Sequence, residues 1–261
     1  MDGNGSVTDR NPFVNGAAGS NYCRHDGAGL LRIGANEPPT ALTTFVHDSV
    51  TALVLNPQFT CVGAKSTVRQ RSYRFGMYPA MAELASTAAL AHDLYLFTQE
   101  APTIPGEFAT MIARFEGPST GDEEAFERLL WGTLQQLHDL DAPHYAWAAD
   151  VSADPSDAEF SFSFAEMPFF VIGLHAASSR MTRRLAWPTL VFNPHRQFEQ
   201  LKQRGRFERF RHVIREAEQR LQGDVNPMAS DFGQHSEAAQ YSGRNVDPSW
   251  KCPFASRKTL R

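Results

Sequence analysis

The stretch "FSFSFAEMPFFVIGL" (residues 160–174) decides the fold, because it contains two segments typical of β-strands. "FSFSF" (residues 160–164) alternates Phe with Ser, so a strand there has one apolar face and one small polar face. "PFFVIGL" (residues 168–174) is a short run rich in aromatic and branched residues. "TLVFN" (residues 189–193) predicts a further strand, and "MIARFEG" (residues 111–117) predicts an earlier one.

Helical periodicity surrounds these strands. Residues 78–97, "YPAMAELASTAALAHDLYLF", are rich in Ala and Leu with apolar steps of three and four, which predicts a mostly buried helix. A second helix opens at the acidic run of residues 122–124 and carries an apolar stripe from Phe126 to Leu137. After Pro194 the pattern predicts two more helices, the second with a core-facing stripe from Phe207 to Leu221. The fold class predicted is α+β, a single domain with a mostly antiparallel sheet flanked by helices.

The two ends of the chain are both aperiodic, but their compositions differ. Residues 1–40 are rich in Gly, Asn, Asp and Pro, which predicts a flexible leader before a domain at residues 41–261. The C-terminal stretch from residue 222 onward contains five anchors that a solvated tail would rarely carry: Met228, Phe232, Tyr241, Trp250 and Phe254. We therefore expect it to wrap around the body of the domain and to line a site.

Composition and motifs limit the kinds of ligand and environment that we expect for this protein. A net charge of −4 and a pI near 6.1 give no reason to bind nucleic acid or an anionic membrane. No window approaches the length of a membrane span and no secretory signal is visible, so we expect a cytoplasmic protein. Three cysteines without a signal make a disulfide framework improbable. The glycine-rich leader lacks the spacing of a nicotinamide, flavin or phosphate-binding loop. Small-molecule chemistry is the class that remains.

His195 lies at the joint of "VFNPHRQFEQL" (residues 191–201), where an apolar strand pattern passes into a helical one. Pro194 fixes the backbone there, so the imidazole can point away from the sheet edge. The histidine either packs against or caps the helix start, or it faces a cofactor or substrate. The local pattern leaves both interpretations open.

Four ordered blocks resemble the YqcI/YcgG family: "FNPHRQFEQL" (residues 192–201), "NPMASDFG" (226–233), "SEAAQYSGR" (236–244) and "WKCPF" (250–254). Upstream blocks extend the resemblance over about residues 59–254. The resemblance implies a haem-dependent guanidine N-hydroxylase that converts L-arginine to N-omega-hydroxy-L-arginine in a specialised biosynthetic pathway. Haem b would be non-covalent, since the chain has no C-x-x-C-H motif.

The resemblance also assigns candidate residues. For the axial ligand of the haem iron the candidates are the imidazoles of His195 and His138, with Cys252 third and His175 and Cys61 less favoured. A planar cationic guanidinium requires a carboxylate, for which Glu166 is preferred, followed by Glu237 and Asp231, with Asp139 also available. The candidates for contacts with the haem and its propionates are Arg180, Arg183, Arg184, Arg244 and Trp131.

Dioxygen or hydrogen peroxide would be the oxidant, and electrons would come from an external donor because no flavin or nicotinamide loop is visible. Two alternatives remain at this point. One is a non-haem iron oxygenase in which His138, His195 and a carboxylate form a facial triad. The other is a protein that binds haem or a guanidino compound without turnover. A homodimer is possible.

Overall fold

A computed structural model describes residues 11–228 and 233–256. Seven α-helices are described: α1 (Ala41–Leu55), α2 (Val62–Gln70), α3 (Leu84–Glu100), α4 (Glu123–Asp141), α5 (Arg196–Gln203), α6 (Phe207–Gln222) and α7 (Ala238–Tyr241). Seven strands are described: β1 (Cys23–His25), β2 (Leu30–Arg32), β3 (Tyr73–Ala80), β4 (Thr110–Gly117), β5 (Phe162–Phe164), β6 (Met167–Leu174) and β7 (Thr189–Pro194). The elements form one α+β arrangement, as predicted.

All seven strands join one mixed sheet in the order β2-β1-β3-β4-β7-β6-β5. Only β3 and β4 run parallel, with Phe75 opposite Ile112, and the other pairs are antiparallel. A parallel pair needs a long crossover, and α3 provides it between these two strands. The predicted mostly antiparallel sheet is therefore confirmed, with one parallel pair at its centre.

Both faces of the sheet are covered. The α3 and α4 face holds the larger core, to which β4 contributes Met111, Ala113 and Phe115. On the opposite face, Ile112 packs with residues of α1 and α2. Successive side chains of a strand point to opposite faces, so a central strand such as β4 is buried on both. This explains why residues 110–115 of β4 are all buried, including Arg114.

The N-terminal prediction is wrong for the part of residues 1–40 that the structure describes. Strands β1 and β2 form the sheet edge next to β3. Ser20 Oγ and the Asn21 amide donate to the buried carboxylate of Asp93 at 2.5 and 2.9 Å. These contacts are long-range and polar, so the local sequence shows no apolar period. Residues 1–10 lie outside the described part.

Two element predictions also need correction. The helix predicted from Tyr78 starts only at Leu84, because Tyr78 to Ala80 pair with β4 as the end of β3. The stripe of α6 was predicted to face the core, but no residue of that helix is buried. Phe210 instead stacks against Phe108 at a ring distance of 5.6 Å, at the periphery of the domain.

The C-terminal segment wraps the body, as predicted. Tyr241 is fully buried against the sheet and Phe254 is 4% exposed among aromatic side chains. Arg244 donates to Glu127 of α4 at 2.7 Å, which ties the segment to that helix. Within the described ranges, no helix is both long and apolar enough to cross a membrane.

Candidate functional site

His195 follows the last residue of β7 and precedes α5, at the joint that the sequence identified. Its backbone N–H donates to the carbonyl of Pro168 at 2.8 Å, which anchors the joint to the start of β6. The residue is 4% exposed. Its side chain makes no helix cap, so the capping interpretation does not hold.

A buried polar cluster surrounds the imidazole. His195 Nε2 lies 3.4 Å from Oε1 of Glu237, and both side chains are nearly inaccessible. The Tyr241 hydroxyl accepts from the Phe162 amide at 3.1 Å, and its proton faces the Phe169 carbonyl at 3.0 Å and Glu237 Oε2 at 3.3 Å. Burial and the nearby Glu237 charge raise the pKa of Tyr241, so its hydroxyl stays protonated. The cluster fixes the Glu237 carboxylate beside the imidazole.

A small cleft of about 260 Å³ opens next to His195. Its walls come from the end of α3, the β5–β6 turn, the joint after β7 and the loop containing Asp150. The ionisable residues in its lining are Asp150, Glu166, His195 and Arg196. Its volume lies near the lower end of the roughly 300–1,000 Å³ typical of small-molecule sites. With two acidic residues, Asp150 and Glu166, against one arginine, Arg196, the lining favours a cationic group over an anionic one.

Glu166 is exposed at the tip of the hairpin between β5 and β6. Ala165 and Glu166 both have positive φ, 48° and 59°. A tight two-residue turn that matches the twist of a hairpin requires positive φ at both of its central residues. Although Glu166 lies between the Phe-Ser strand and the apolar run of residues 168–174, the turn projects it out of the sheet and leaves it exposed. Its carboxylate instead lies at the cleft wall.

The buried carboxyl in this region belongs to Asp141, which the sequence analysis missed. Asp141 is 3% exposed at the end of α4 and accepts from the Ala165 amide at 2.9 Å. Burial raises the pKa of Asp141 to about 7, and the Glu166 charge contributes, while the Ala165 hydrogen bond opposes the shift. One signal was available, since Asp141 is seven residues after Leu134 and extends the apolar stripe of α4.

The other ligand candidates lie in aromatic surroundings. His138 is 4% exposed and meets Trp147 and Phe254 edge-on, each at a ring distance of 5.4 Å. Burial raises the pKa of the Cys252 thiol to about 12, which disfavours a thiolate ligand. His175 stacks on Phe126 at 4.2 Å. In contrast to these surroundings, His195 has the carboxylate of Glu237 beside its imidazole.

Trp131 and the four arginines predicted to contact haem are all in contact with protein groups. Trp131 stacks on Tyr241 at 5.7 Å. Arg180 pairs with Asp224, and Arg244 pairs with Glu127 at 2.7 Å. The Arg183 guanidinium donates to the backbone carbonyls of Gly173 and Tyr241. The Arg184 guanidinium donates to those of Ser178 and Ser179.

The residues present fit part of a haem site. A ligating histidine typically has a carboxylate or carbonyl partner, and the buried His195–Glu237 pair matches that donor chemistry. The arginines match less well, because each would have to exchange a protein acceptor for a propionate. Within the described ranges, no three His, Cys, Asp or Glu side chains converge as a metal-binding group, so no described carboxylate completes a facial triad. Asp231 lies outside the described residues.

Comparison with known proteins bears on the family. No curated protein and no solved structure matches this chain. The model of the YqcI/YcgG family matches residues 50–255, which include β3 to β7, the His195 joint and most of the C-terminal segment. Since this span covers well over half of the sequence, the chain belongs to the YqcI/YcgG family.

Proposed function

We propose that this protein is a haem-dependent monooxygenase that hydroxylates a guanidino nitrogen, with L-arginine as the substrate and N-omega-hydroxy-L-arginine as the product. The observation that carries the proposal is the buried His195–Glu237 pair beside an acidic cleft. Membership of the YqcI/YcgG family is shown for residues 50–255, and the resemblance of its sequence blocks to haem-dependent guanidine N-hydroxylases supports the proposed activity.

His195 would hold the haem iron, with Glu237 orienting the imidazole. Tyr241 holds Glu237 in turn through its hydroxyl. Bound haem b would activate dioxygen or hydrogen peroxide for transfer of one oxygen atom, with an external electron donor where dioxygen is used. Trp131, packed against Tyr241, would support the aromatic wall behind this cluster.

The carboxylates at the cleft would recognise the substrate. A guanidinium is permanently charged at neutral pH and presents forked donors that match a carboxylate. Glu166 lines the cleft, is exposed and can reach an incoming cation, and Asp150 lines the same cleft. Asp141 lies behind the hairpin and outside the cleft lining, with a pKa near neutrality, where a carboxylate can exchange a proton.

Haem retention tests the ligand. His195→Ala purified from cells supplied with haem should lose most of its bound haem, because the imidazole is the proposed ligand. His212→Ala is the matched control, since His212 is a largely exposed histidine on α6. The measurement is the ratio of Soret to protein absorbance. A His195→Ala protein with full haem and an unchanged spectrum would move the ligand to His138 or Cys252.

Arginine binding and turnover test the substrate. Glu166→Gln keeps the shape of the side chain and removes its charge, so arginine binding should weaken by about 1.5 kcal/mol, the lower end for a hydrogen bond to a charged group, because Glu166 is exposed. Haem content should stay normal. The binding readout is the arginine-induced change of the Soret band. Mass analysis after incubation with arginine, oxygen and reductant should show a gain of one oxygen.

A second candidate function is binding of a guanidino compound without turnover, and the acidic cleft is the observation that favours it. Calorimetric titration of haem-free protein separates the two candidates. Citrulline is the matched ligand, because it keeps the shape of arginine without its charge. Tight arginine binding without haem, no citrulline binding and no oxygenated product would favour the binding protein.

A further inference from the structure

Arg114 is a buried cation outside the cleft. It lies on the central strand β4 with a relative exposure of 0%. None of its three guanidinium nitrogens has a hydrogen-bond partner within residues 11–228 and 233–256. The one charge-related contact that the structure gives it is with the ring of Trp187, whose centroid lies 4.9 Å from Cζ. An arginine in this state is unusual, because buried polar groups are normally paired.

Among the described residues, the neighbours of Arg114 are largely apolar and no carboxylate acts on its charge. Met77 of β3 and Thr189 of β7 lie opposite it in register, so their side chains share its face of the sheet. The Thr189 hydroxyl donates to the Trp187 carbonyl at 3.1 Å and is thereby engaged. Burial alone lowers the pKa of Arg114 to about 10, with no carboxylate opposing the shift. At neutral pH the group is still a cation.

Buried Arg180 and half-buried Arg183 differ from Arg114 in having hydrogen-bond acceptors. Arg180, 6% exposed, pairs with Asp224, and Arg183 donates to two backbone carbonyls. A charge removed from water without a partner is costly, and a cation–π contact offsets only a small part of that cost. A compensating interaction for Arg114 is therefore absent from residues 11–228 and 233–256, and a bound anion would supply one.

We propose that Arg114 and Trp187 form a binding site for a small monocarboxylate with an apolar body. The guanidinium fork matches the two oxygens of a carboxylate. A single cation with no second positive group beside it suits one negative charge better than the two of a phosphate. Met77 and Trp187 provide apolar surface for the rest of the ligand.

Trp187 is the cover of this site. It is half-buried in the loop before β7, and Phe45 of α1 meets it edge-on at 6.4 Å while remaining 62% exposed. Trp187 thus contacts both the buried Arg114 guanidinium and the exposed Phe45 ring. Thr189 and Pro194 are five residues apart on β7, so the site lies roughly 16 Å along the strand from the cleft. The inference is independent of the proposed function.

Thermal unfolding of the full-length protein with butyrate tests the proposal. A ligand that binds only the folded state raises Tm in a saturable way, and near-saturating butyrate should raise it by about 5 °C. Butyramide, which has the same shape without charge, and sodium chloride at equal ionic strength should raise it far less. Phosphate should be no better than chloride. No saturable rise with butyrate, or an equal rise with butyramide or phosphate, would overturn the proposal.

The variant Arg114→Met removes the charge and keeps an unbranched side chain of similar reach. Without ligand its Tm should be equal to or above that of the parent, because an uncompensated buried charge is gone. The butyrate-dependent rise should disappear. Arg209→Met, a change of an exposed arginine, should retain it. An Arg114→Met protein that keeps the full rise would contradict the site.

Trp187→Leu is a second test variant, which keeps the proposal testable if Arg114→Met does not fold. It leaves the charge in place and removes the aromatic cover, so the butyrate concentration at half-maximal Tm rise should increase several-fold. An unchanged concentration would exclude Trp187 from the site and with it the proposed geometry.

Discussion

At the scale of single residues, the ionisation of Asp141 is coupled to both the fold and the cleft. Its pKa of about 7 lies above the ordinary value near 3.9, so the folded state holds a proton that the unfolded chain has released. The unfolding free energy contributed by this group is therefore highest at pH 4 and below. It decreases as the pH rises to about 7 and is level above that.

We expect Asp141→Asn to remove this pH dependence. The amide keeps an oxygen that can accept from the Ala165 N–H and cannot ionise. Relative to the parent, the variant should gain stability between pH 4 and 7, by on the order of a few kcal/mol at the upper end. Urea unfolding of both proteins at a series of pH values measures this difference in stability.

Asp157→Asn is the matched control for that series, since Asp157 is an exposed loop carboxylate that accepts from the Glu159 amide. Its pH profile should follow that of the parent. If Asp141→Asn and the parent lose stability in parallel from pH 4 to 7, Asp141 is ionised throughout and cannot accept a proton near neutrality.

At the scale of the element, α4 ends at the buried Asp141 and begins with a strong cap. The Asp122 carboxylate accepts from the Ala125 amide at 2.6 Å, and Glu123 and Glu124 follow in the first turn. Both features stabilise a helix start, because they satisfy free amides and oppose the helix dipole. The acidic run thus acts on helix stability and lies at the end of α4 opposite to Asp141.

Asp122→Ala should accordingly destabilise the protein by about 1 kcal/mol without changing arginine binding. Asp122→Ser, which can still cap the helix, should recover most of the loss. Urea unfolding provides the measurement. Equal stability of the Ala and Ser variants would show that the cap contributes nothing.

At the scale of the whole molecule, the C-terminal segment completes both the core and the site. It contributes Glu237 beside His195, Tyr241 beneath the sheet and Phe254 in the aromatic cluster. Ending the chain after Gln222 would remove these side chains together and expose the apolar surface that they cover. The segment is therefore a structural part of the domain.

Truncation after Gln222 should abolish haem retention and arginine-induced spectral change, and it should lower Tm strongly. A matched chain with Glu237→Gln alone should fold, since Gln is isosteric and Tyr241 still anchors the segment. Circular dichroism measures folding and Tm. The Soret band measures haem retention and the arginine-induced spectral change. A truncated protein with parental turnover would show that the segment has no part in the site.

The sequence by itself determined the elements whose signal is local. The Phe-Ser alternation, the stripe of α4 and the strand-to-helix joint at His195 depend on spacing within one element, so they are readable without a fold. The ordered blocks of residues 192–254 also identified the family, which the match to residues 50–255 confirmed. Haem binding and arginine hydroxylation stay predictions.

Only the tertiary structure decided which distant residues meet. Glu237 reaches His195 because the C-terminal segment folds back across β6, and Asp141 is buried because the β5–β6 hairpin covers the end of α4. The same holds for residues 11–33, whose β1–β2 hairpin joins the sheet through β3, and for Arg114, whose isolation depends on neighbouring strands. Burial and charge pairing depend on which elements pack against each other. A pattern within one element does not report that packing.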